Sequence, residues 1–209
     1  SSIFIKKTLN LAHHLALKGY VKGIINCPIN KKLLQKKNYG ITEYLALKCK
    51  IKNDSEVMLI KNKNFSVLPI TTHIRLKDVS TKINLKKIVK KIQTFNNWFK
   101  IKHKRYPKIG VLGLNPHNAE LEKNSEECKI IIPAIKKLQK KGLKIFGPLV
   151  SDTVFINDYK KYDVIVGMYH DQVLAPFKTI FKFDAINITL GLKYIRLSPD
   201  HGVAKNIIK

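Results

Sequence analysis

The sequence has few acidic residues, and this shortage leaves the chain strongly basic. Its 209 residues include 14 Asp and Glu against 40 Lys and Arg, which gives a formal net charge of +26. Such an imbalance can indicate a nucleic-acid or anionic-membrane partner. The lysines, however, are spread along the whole sequence, without a zinc finger, an RNP-like aromatic motif or a separate basic tail. We therefore expect a solvated basic surface and neither a nucleic-acid nor a membrane partner.

Cysteines and long apolar runs are also scarce. Cys27, Cys49 and Cys128 are odd in number and share no CxxC spacing, so the sequence indicates neither a disulfide framework nor a cysteine-zinc site. This usage fits a reducing compartment, and we expect a cytoplasmic protein. No apolar run approaches the roughly 20 residues that a membrane helix needs. Because the chain opens with Ser1 and without methionine, we interpret it as a piece of a longer protein.

Apolar spacing alternates along the chain between helical and strand patterns. Helical spacing is clear before Gly19 and over residues 84–102, and short apolar strand patterns occupy residues 23–27 and 108–114. A capping-box pattern at residues 124–127 predicts the start of a further helix. With 44% hydrophobic residues the chain can bury a sizeable core, and the alternation predicts an α/β fold.

The densest set of polar groups follows the apolar run at residues 164–168. His170 and Asp171 stand directly behind that run, as they would at the end of a strand. An isolated His-Asp pair is more often a simple polar turn, but Lys178 and Arg196 follow, each beside an apolar segment. Arginine can bind a carboxylate or phosphate through two parallel hydrogen bonds, and lysine supplies a point charge. The pattern therefore favours a small phosphorylated acid as substrate.

Five motifs in this part of the chain carry a family resemblance. They are MYHDQ at 168–172, PFK at 176–178, NITLGL at 187–192, IR at 195–196 and DHG at 200–202. Together they closely resemble the 4-hydroxythreonine-4-phosphate dehydrogenase family of pyridoxal phosphate synthesis. An Asn30-Lys31 turn after the first strand pattern is similar to a family turn near the active site. The resemblance extends from about Gly23 to Lys209 and lacks both family termini.

The resemblance implies the isocitrate/isopropylmalate dehydrogenase fold, in which two interleaved α/β domains enclose the active-site cleft. We assign residues 1–40 and 185–209 to the first, incomplete domain and residues 41–184 to the second domain, which would also form the dimer. This fold is not a Rossmann domain, which accounts for the lack of a GxGxxG dinucleotide fingerprint in the sequence.

Three histidines are implied as metal ligands: His73, His117 and His170. Each follows a separate apolar strand pattern, and His117 lies in an Asn-Pro-His loop typical of the family. A lone histidine after a strand is usually structural, but three neutral imidazoles leave coordination positions open, as catalytic sites do. Zinc is the expected ion, with cobalt or magnesium as alternatives. Asp171 is a candidate for orienting a ligand histidine. The family shares this site across a homodimer interface, so we expect a homodimer.

The implied substrate-binding residues are Thr42, Lys178, Asn187 and Arg196. Thr42 belongs to a Gly-Ile-Thr-Glu segment where the family has Gly-His-Thr-Glu, so Ile41 replaces a histidine that contacts substrate. Thr42 by itself could merely cap a helix. The change at Ile41 leaves the affinity for substrate, or its identity, open.

The resemblance implies a metal-dependent dehydrogenase that uses NAD or NADP. It would oxidise 4-phosphooxy-L-threonine to 2-amino-3-oxo-4-phosphooxybutanoate, which loses carbon dioxide to give 3-amino-2-oxopropyl phosphate for pyridoxine 5'-phosphate synthesis. A dehydrogenase of 4-phospho-threonate or 4-phospho-erythronate is the alternative within the family. A basic anion- or nucleic-acid-binding module is the alternative of another class, and it would bind DNA with steep salt dependence. We expect the segment alone to be inactive.

Overall fold

The computed structural model describes residues 2–29, 40–51 and 55–201. The predicted Asn30-Lys31 turn and Gly202 lie outside these ranges. The described chain contains seven α-helices, with short 3₁₀ and π-helical turns between some of them. The helices are α1 (Ser2–Leu17), α2 (Ile41–Lys48), α3 (Val79–Lys82), α4 (Leu85–His103), α5 (Ile132–Gln139), α6 (Ser151–Val154) and α7 (His170–Phe181). None of them is both long enough and apolar enough to cross a membrane.

The strands of the described chain form one mixed sheet. They are β1 (Gly23–Ile25), β2 (Val57–Lys61), β3 (Ser66–Pro69), β4 (Lys108–Leu112), β5 (Lys144–Leu149), β6 (Val164–Gly167), β7 (Ile186–Leu190) and β8 (Ile195–Pro199). Their order across the sheet is β1-β8-β7-β2-β3-β6-β4-β5. The predicted α/β class is confirmed. The division of the chain at residues 40 and 184 stays a prediction.

The central strands are buried on both faces, which explains their continuous apolar sequences. In β2, Val57 and Leu59 belong to the core cluster that α4 and α5 cover. Met58 and Ile60 point to the opposite face, which α7 covers in part. Successive side chains alternate across the sheet, so one strand serves two cores. The α7 face also carries the polar side chains described below.

Helix α4 packs on one face of the sheet, against β2 and β7. Asn84 begins it, because the Asn84 side chain accepts a hydrogen bond from the Lys87 backbone N–H at 2.8 Å. Ile88, Ile92 and Phe95 follow at helical spacing and are completely buried. The helical apolar spacing predicted for residues 84–102 therefore corresponds to a face buried in the core.

Parallel pairing decides where the polar loops lie. β3, β6 and β4 are parallel neighbours, so their carboxyl ends meet at the same edge of the sheet. The segments that follow them carry His73, His170 and His117 respectively, with His170 at the first residue of α7. The strand order thus delivers all three histidine-bearing segments to one edge.

Two isoleucines on α4 allow a matched test of this packing. Ile92 is 0% exposed and Ile101 is 72% exposed. We expect Ile92→Ala to lower the free energy of unfolding by about 2–5 kcal/mol, because it leaves a cavity in the core. Ile101→Ala should change it by no more than about 0.5 kcal/mol. Urea denaturation measures both, and equal losses would contradict this orientation of α4.

Candidate functional site

A cavity of about 410 Å³ opens on the sheet face that α7 covers in part. We call it the site cavity. Six of the eight predicted site residues line it: Thr42, His73, His170, Lys178, Asn187 and Arg196. The other two, His117 and Asp171, do not line it. The six residues that line it come from five parts of the chain, namely α2, the segment after β3, α7, β7 and β8, so only the fold brings them together.

The floor of the site cavity is formed by strand residues that share one face of the sheet. Arg196 on β8 pairs with Thr189 on β7, which places both side chains on the same side. Asn187, two residues before Thr189, points the same way. Met58 and Ile60 of β2 continue the floor as an apolar surface. The part of the floor that β7 and β8 form is therefore polar, and the part that β2 forms is apolar.

Helix α7 forms one wall of the site cavity. His170, Leu174 and Lys178 line the cavity and are spaced four residues apart, so they lie on one face of the helix. Lys178 Nζ donates to Asp200 Oδ2 at 2.8 Å, and the Asp200 side chain is 1% exposed. This ion pair joins the last turn of α7 to the end of β8.

Arg196 supplies a buried positive charge to the floor. The residue is 2% exposed. Its Nε donates to Asn26 Oδ1 at 2.8 Å and its Nη1 donates to Thr189 Oγ1 at 3.1 Å. Burial lowers the pKa of Arg196 to about 10, although the Glu43 carboxylate opposes this change. The guanidinium is still charged at neutral pH, and the hydrogen bonds it makes within the described chain go to uncharged oxygens.

His73 and His170 both line the cavity and lie side by side, with ring centres 5.7 Å apart. The Nδ1 atom of His170 donates to Asp171 Oδ1 at 2.6 Å. The Nδ1 atom of His73 is buried and lies 3.6 Å from Glu43 Oε1, which is too long for a hydrogen bond. In each ring, Nε2 is thus the nitrogen that can bind an ion.

This arrangement fits a divalent metal ion. Two imidazoles that bind one zinc ion at about 2.0–2.1 Å from each nitrogen have ring centres about 5–6 Å apart. A carboxylate beside the second ring nitrogen is the usual support of a ligand histidine. Asp171 stands in that position for His170, with its own side chain 82% exposed, and its role in orienting His170 stays a prediction.

Glu43 is a site residue to which the sequence analysis assigned no role. Burial raises the pKa of its carboxyl group, but the nearby His73 imidazole and the Thr72 hydroxyl outweigh burial and bring the pKa to about 2. The carboxylate is therefore ionised throughout the neutral range. Its position three residues after Gly40, at the third position of α2, is the only sequence signal that could have identified it, as a capping-box acid.

The structure does not bring His117 into the site cavity. Its side chain is 68% exposed, and its nearest charged partners are Glu120 at 3.5 Å and Asp152 at 3.8 Å. Among the described residues, no group of three or more His, Cys, Asp or Glu side chains converges as a metal site. A single chain therefore joins two of the three implied ligands and leaves the third on its surface.

The loop that carries His117 has an unusual backbone. Residues 117–121 all have positive φ, from 46° to 58°. This left-handed conformation costs roughly 1–2 kcal/mol for each residue that is not glycine. Glu127 supports the start of the loop, because its Oε1 accepts hydrogen bonds from the backbone N–H groups of Leu114 at 2.7 Å and Asn115 at 2.8 Å. Glu127 is completely buried, and the sequence analysis assigned it only to a capping box.

Gln172 connects the His117 and His170 loops. Its Oε1 accepts from the Met168 backbone N–H at 2.7 Å, at the end of β6. Its Nε2 donates to the Gly113 carbonyl at 2.7 Å, at the end of β4, and to Ser151 Oγ at 2.9 Å. One buried amide thus fixes two strand ends relative to each other.

Comparisons with known proteins agree on one family. The family model described as "Pyridoxal phosphate biosynthetic protein PdxA" matches residues 2–209. The chain is 43% identical over 196 residues to 4-hydroxythreonine-4-phosphate dehydrogenase of Aquifex aeolicus, which covers 92% of this chain and 60% of the relative. It is 33% identical over 204 residues to D-threonate 4-phosphate dehydrogenase of Pectobacterium atrosepticum, covering 96% of this chain and 63% of that protein. The chain spans about three fifths of the length of these relatives.

A solved structure gives the same result for the fold. The 4-hydroxythreonine-4-phosphate dehydrogenase of Klebsiella pneumoniae superposes with a TM-score of 0.80 at 35% identity, over 96% of this chain and 62% of that one. These dehydrogenases have the isocitrate/isopropylmalate dehydrogenase-like fold. The fold expected from the sequence is confirmed.

Glu127 gives a pH-dependent test of the loop geometry. Burial raises the pKa of Glu127, but hydrogen bonds from Asn115 and Leu114 outweigh it, so the pKa lies below its ordinary value of 4.5. A lowered folded-state pKa stabilises the protein above the pKa of the unfolded chain, and this contribution disappears as the pH falls through the folded-state value. Glu127→Gln should therefore lower the free energy of unfolding by about 1.5–3 kcal/mol at pH 7.

The difference between wild type and Glu127→Gln should narrow as the pH falls below about 4.5, because only the wild-type carboxylate becomes protonated. Denaturant unfolding at several pH values measures it. Glu122→Gln is the control, since Glu122 is exposed in the same segment and should leave stability unchanged. A Glu127→Gln difference that does not vary with pH would contradict the assignment.

Proposed function

Because this chain belongs to the family of the pyridoxal phosphate biosynthetic protein PdxA, we propose that the complete protein is an NAD- or NADP-linked, metal-dependent dehydrogenase. Its substrate would be 4-phosphooxy-L-threonine, oxidised at the hydroxyl carbon and then decarboxylated in pyridoxine 5'-phosphate synthesis. The observation that carries this proposal is the buried Arg196 guanidinium, which shares one cavity with Lys178 and two facing histidines. A cytoplasmic location stays a prediction.

The charge of Arg196 supports an anionic substrate. A buried charge is costly unless an opposite charge or good hydrogen bonds compensate it. Asn26 and Thr189 use two of the five N–H donors of the guanidinium. A phosphate or carboxylate oxygen would accept from the remaining donors and balance the charge. Lys178, at the wall, would add a second positive charge to the same ligand.

Asn187 supports a substrate that also carries hydrogen-bond donors. Its Oδ1 atom is buried and has no hydrogen-bond partner within the described residues. Buried polar atoms are rarely left without a partner in the working state of a protein. A hydroxyl or ammonium group of the substrate would donate to this oxygen. Thr42, whose Oγ1 lies 3.2 Å from Thr189 Oγ1, would contact the same ligand from the opposite wall.

His73 and His170 would hold the divalent ion, with zinc as the expected ion and cobalt or magnesium as alternatives. Such an ion would supply Lewis acidity towards the substrate hydroxyl, and oxidised NAD or NADP would be the hydride acceptor. Within the chain, Asp171 keeps the His170 proton on Nδ1 and so directs Nε2 away from the carboxylate.

A homodimer would complete this set of ligands. His73 and His170 stand together in one chain, whereas His117 is exposed at the same sheet edge and lies outside the site cavity. If the three imidazoles bind one ion, His117 must reach the cavity of another copy. We therefore propose an isologous dimer in which each site takes His73 and His170 from one protomer and His117 from its partner.

Ile41 favours a second candidate substrate within the same reaction class. This apolar side chain lines the site cavity where the family resemblance places a histidine that contacts substrate. One relative of the chain is named D-threonate 4-phosphate dehydrogenase. D-Threonate 4-phosphate carries a hydroxyl where 4-phosphooxy-L-threonine carries an ammonium group. Oxidation of this phosphorylated sugar acid is therefore the runner-up function.

Formation of reduced cofactor by the complete protein tests the function directly. We expect a higher kcat/KM with 4-phosphooxy-L-threonine than with D-threonate 4-phosphate, and the reverse order would select the runner-up.

Arg196→Lys should lower kcat/KM at least about tenfold, or about 1.4 kcal/mol, because a two-pronged contact becomes a point charge. Arg75→Lys is the control, since the Arg75 side chain is 72% exposed and, among the described residues, its ion pair is with Asp78, three positions along the chain. Equal kinetics for both variants would remove Arg196 from the site.

Mixing inactive variants tests the shared metal site. His73→Ala and His117→Ala proteins, each inactive alone, are combined after reversible dissociation. Random pairing makes half of the dimers mixed, and half of the sites in a mixed dimer carry no substitution. We therefore expect about a quarter of wild-type activity. The matched control is a mixture of His73→Ala and His170→Ala, which should stay inactive because one chain supplies both residues. Recovery in the control, or none in the first mixture despite subunit exchange, would contradict the proposed dimer.

A further inference from the structure

We infer that Glu43 is a positioning residue that holds the His73 imidazole and the first turn of α2 together at one wall of the site cavity. This inference rests on the proposed function, because it concerns how the chain prepares His73 to bind a metal ion. Glu43 does not line the cavity itself. Its effect would therefore be transmitted through the residues that it contacts.

One carboxylate oxygen of Glu43 fixes the start of α2. Glu43 is the third residue of this helix, and its Oε2 accepts a hydrogen bond from the Gly40 backbone N–H at 2.8 Å. The first turn of a helix has N–H groups without helical partners, and this contact satisfies one at the helix entrance. Ile41 and Thr42, which both line the site cavity, lie between the two contacting residues. Their positions thus depend on this hydrogen bond.

The other oxygen reaches the loop after β3. Glu43 Oε1 accepts from Thr72 Oγ1 at 2.7 Å. The next residue along the chain is His73, whose Nδ1 lies 3.6 Å from the same oxygen. An ionised carboxylate at this place favours the tautomer with the proton on Nδ1, which leaves the Nε2 lone pair for an ion. Asp171 lies closer to His170, at 2.6 Å from Nδ1, so each of the two facing histidines has a carboxylate on its Nδ1 side, although only Asp171 is at hydrogen-bond distance.

Gly40 closes the space around these groups. A Cβ atom at residue 40 would lie 2.7 Å from Glu43 Oε2 and 2.9 Å from His73 Cε1, both closer than side-chain contacts allow. The His73 ring is therefore packed between the Gly40 backbone, the Glu43 carboxylate and the His170 ring. Such close packing leaves the imidazole little freedom to rotate, which is what a metal ligand requires.

The same contacts connect His73 to the anion-binding floor. From the first turn of α2, Thr42 Oγ1 lies 3.2 Å from Thr189 Oγ1, and Thr189 Oγ1 accepts from Arg196 Nη1 at 3.1 Å. A displacement of α2 would therefore disturb both His73 and the surroundings of Arg196. Glu43 joins the first turn of α2 to the segment that carries His73, and so connects His73 with the surroundings of Arg196.

The affinity of the complete protein for zinc, measured by competition with a chromophoric chelator, tests this inference without relying on activity. Glu43→Gln should weaken zinc binding about 10–100-fold, the usual effect of losing the support of a ligand histidine. Thr72→Val removes only the hydroxyl contact and should weaken zinc binding by a smaller factor. Glu122→Gln, an exposed carboxylate outside the cavity, should leave zinc affinity unchanged.

Unchanged zinc affinity in a folded Glu43→Gln protein would overturn the inference. If Glu43→Gln does not fold, the zinc affinity of the Thr72→Val protein tests the inference in its place. A zinc affinity equal to that of the wild type would then overturn the inference as well. The proposed function fails in a different way. In that case the wild-type protein would bind no zinc, or His73→Ala would bind zinc as tightly as the wild type. That outcome removes both proposals, whereas a zinc-binding wild type with an equally tight Glu43→Gln variant removes only the role of Glu43.

Discussion

The burial of one guanidinium is the constraint on which the candidate site depends. Arg196 is held on the sheet face by the antiparallel pairing of β7 and β8, and within the described chain it donates hydrogen bonds to Asn26 and Thr189, neither of which carries charge. Lys178 does not relieve this imbalance, because it is itself a cation and its own partner is Asp200. A cavity with this arrangement is prepared for an anion. The basic residues that are spread over the rest of the surface add only a general attraction for such a ligand.

Two carboxylates shape chain segments at this edge of the sheet: Glu43, which is partly buried, and Glu127, which is completely buried. Glu43 joins the entrance of α2 to the segment that ends at His73, and Glu127 holds the backbone that leads to His117. In both cases the carboxylate accepts hydrogen bonds from another part of the chain, from the Thr72 hydroxyl to Glu43 and from the Leu114 and Asn115 backbone to Glu127, and so fixes a segment outside regular secondary structure. Desolvation is costly for each of them, and the hydrogen bonds more than offset it, since both pKa values are lowered. The sheet brings the loops to one edge, and these side chains set their orientation.

Much of this arrangement could be predicted from local sequence patterns. The strands β1, β4 and β6 and helix α4 follow from apolar spacing alone. The polar residues at strand ends indicated the cavity, because parallel strands gather their carboxyl ends. Helix α7 was not predicted, since Pro176 in its interior normally indicates a break. The roles of Glu43 towards Thr72 and of Glu127 towards Leu114 and Asn115 were not predicted, because these partners lie 29, 13 and 12 residues away and only the fold brings them together. The separation of His117 from the other two histidines depends on tertiary structure, which periodicity does not encode.

The most direct test of this account is a crystal structure of the complete protein with zinc and 4-phosphooxy-L-threonine. An anionic oxygen of the ligand should lie about 2.7–2.9 Å from a guanidinium nitrogen of Arg196, which is the usual length of a charge-assisted hydrogen bond. His73 and His170 of the same protomer should bind the zinc ion through Nε2. A ligand bound in another place, or one that leaves Arg196 without an anionic partner, would contradict the central claim.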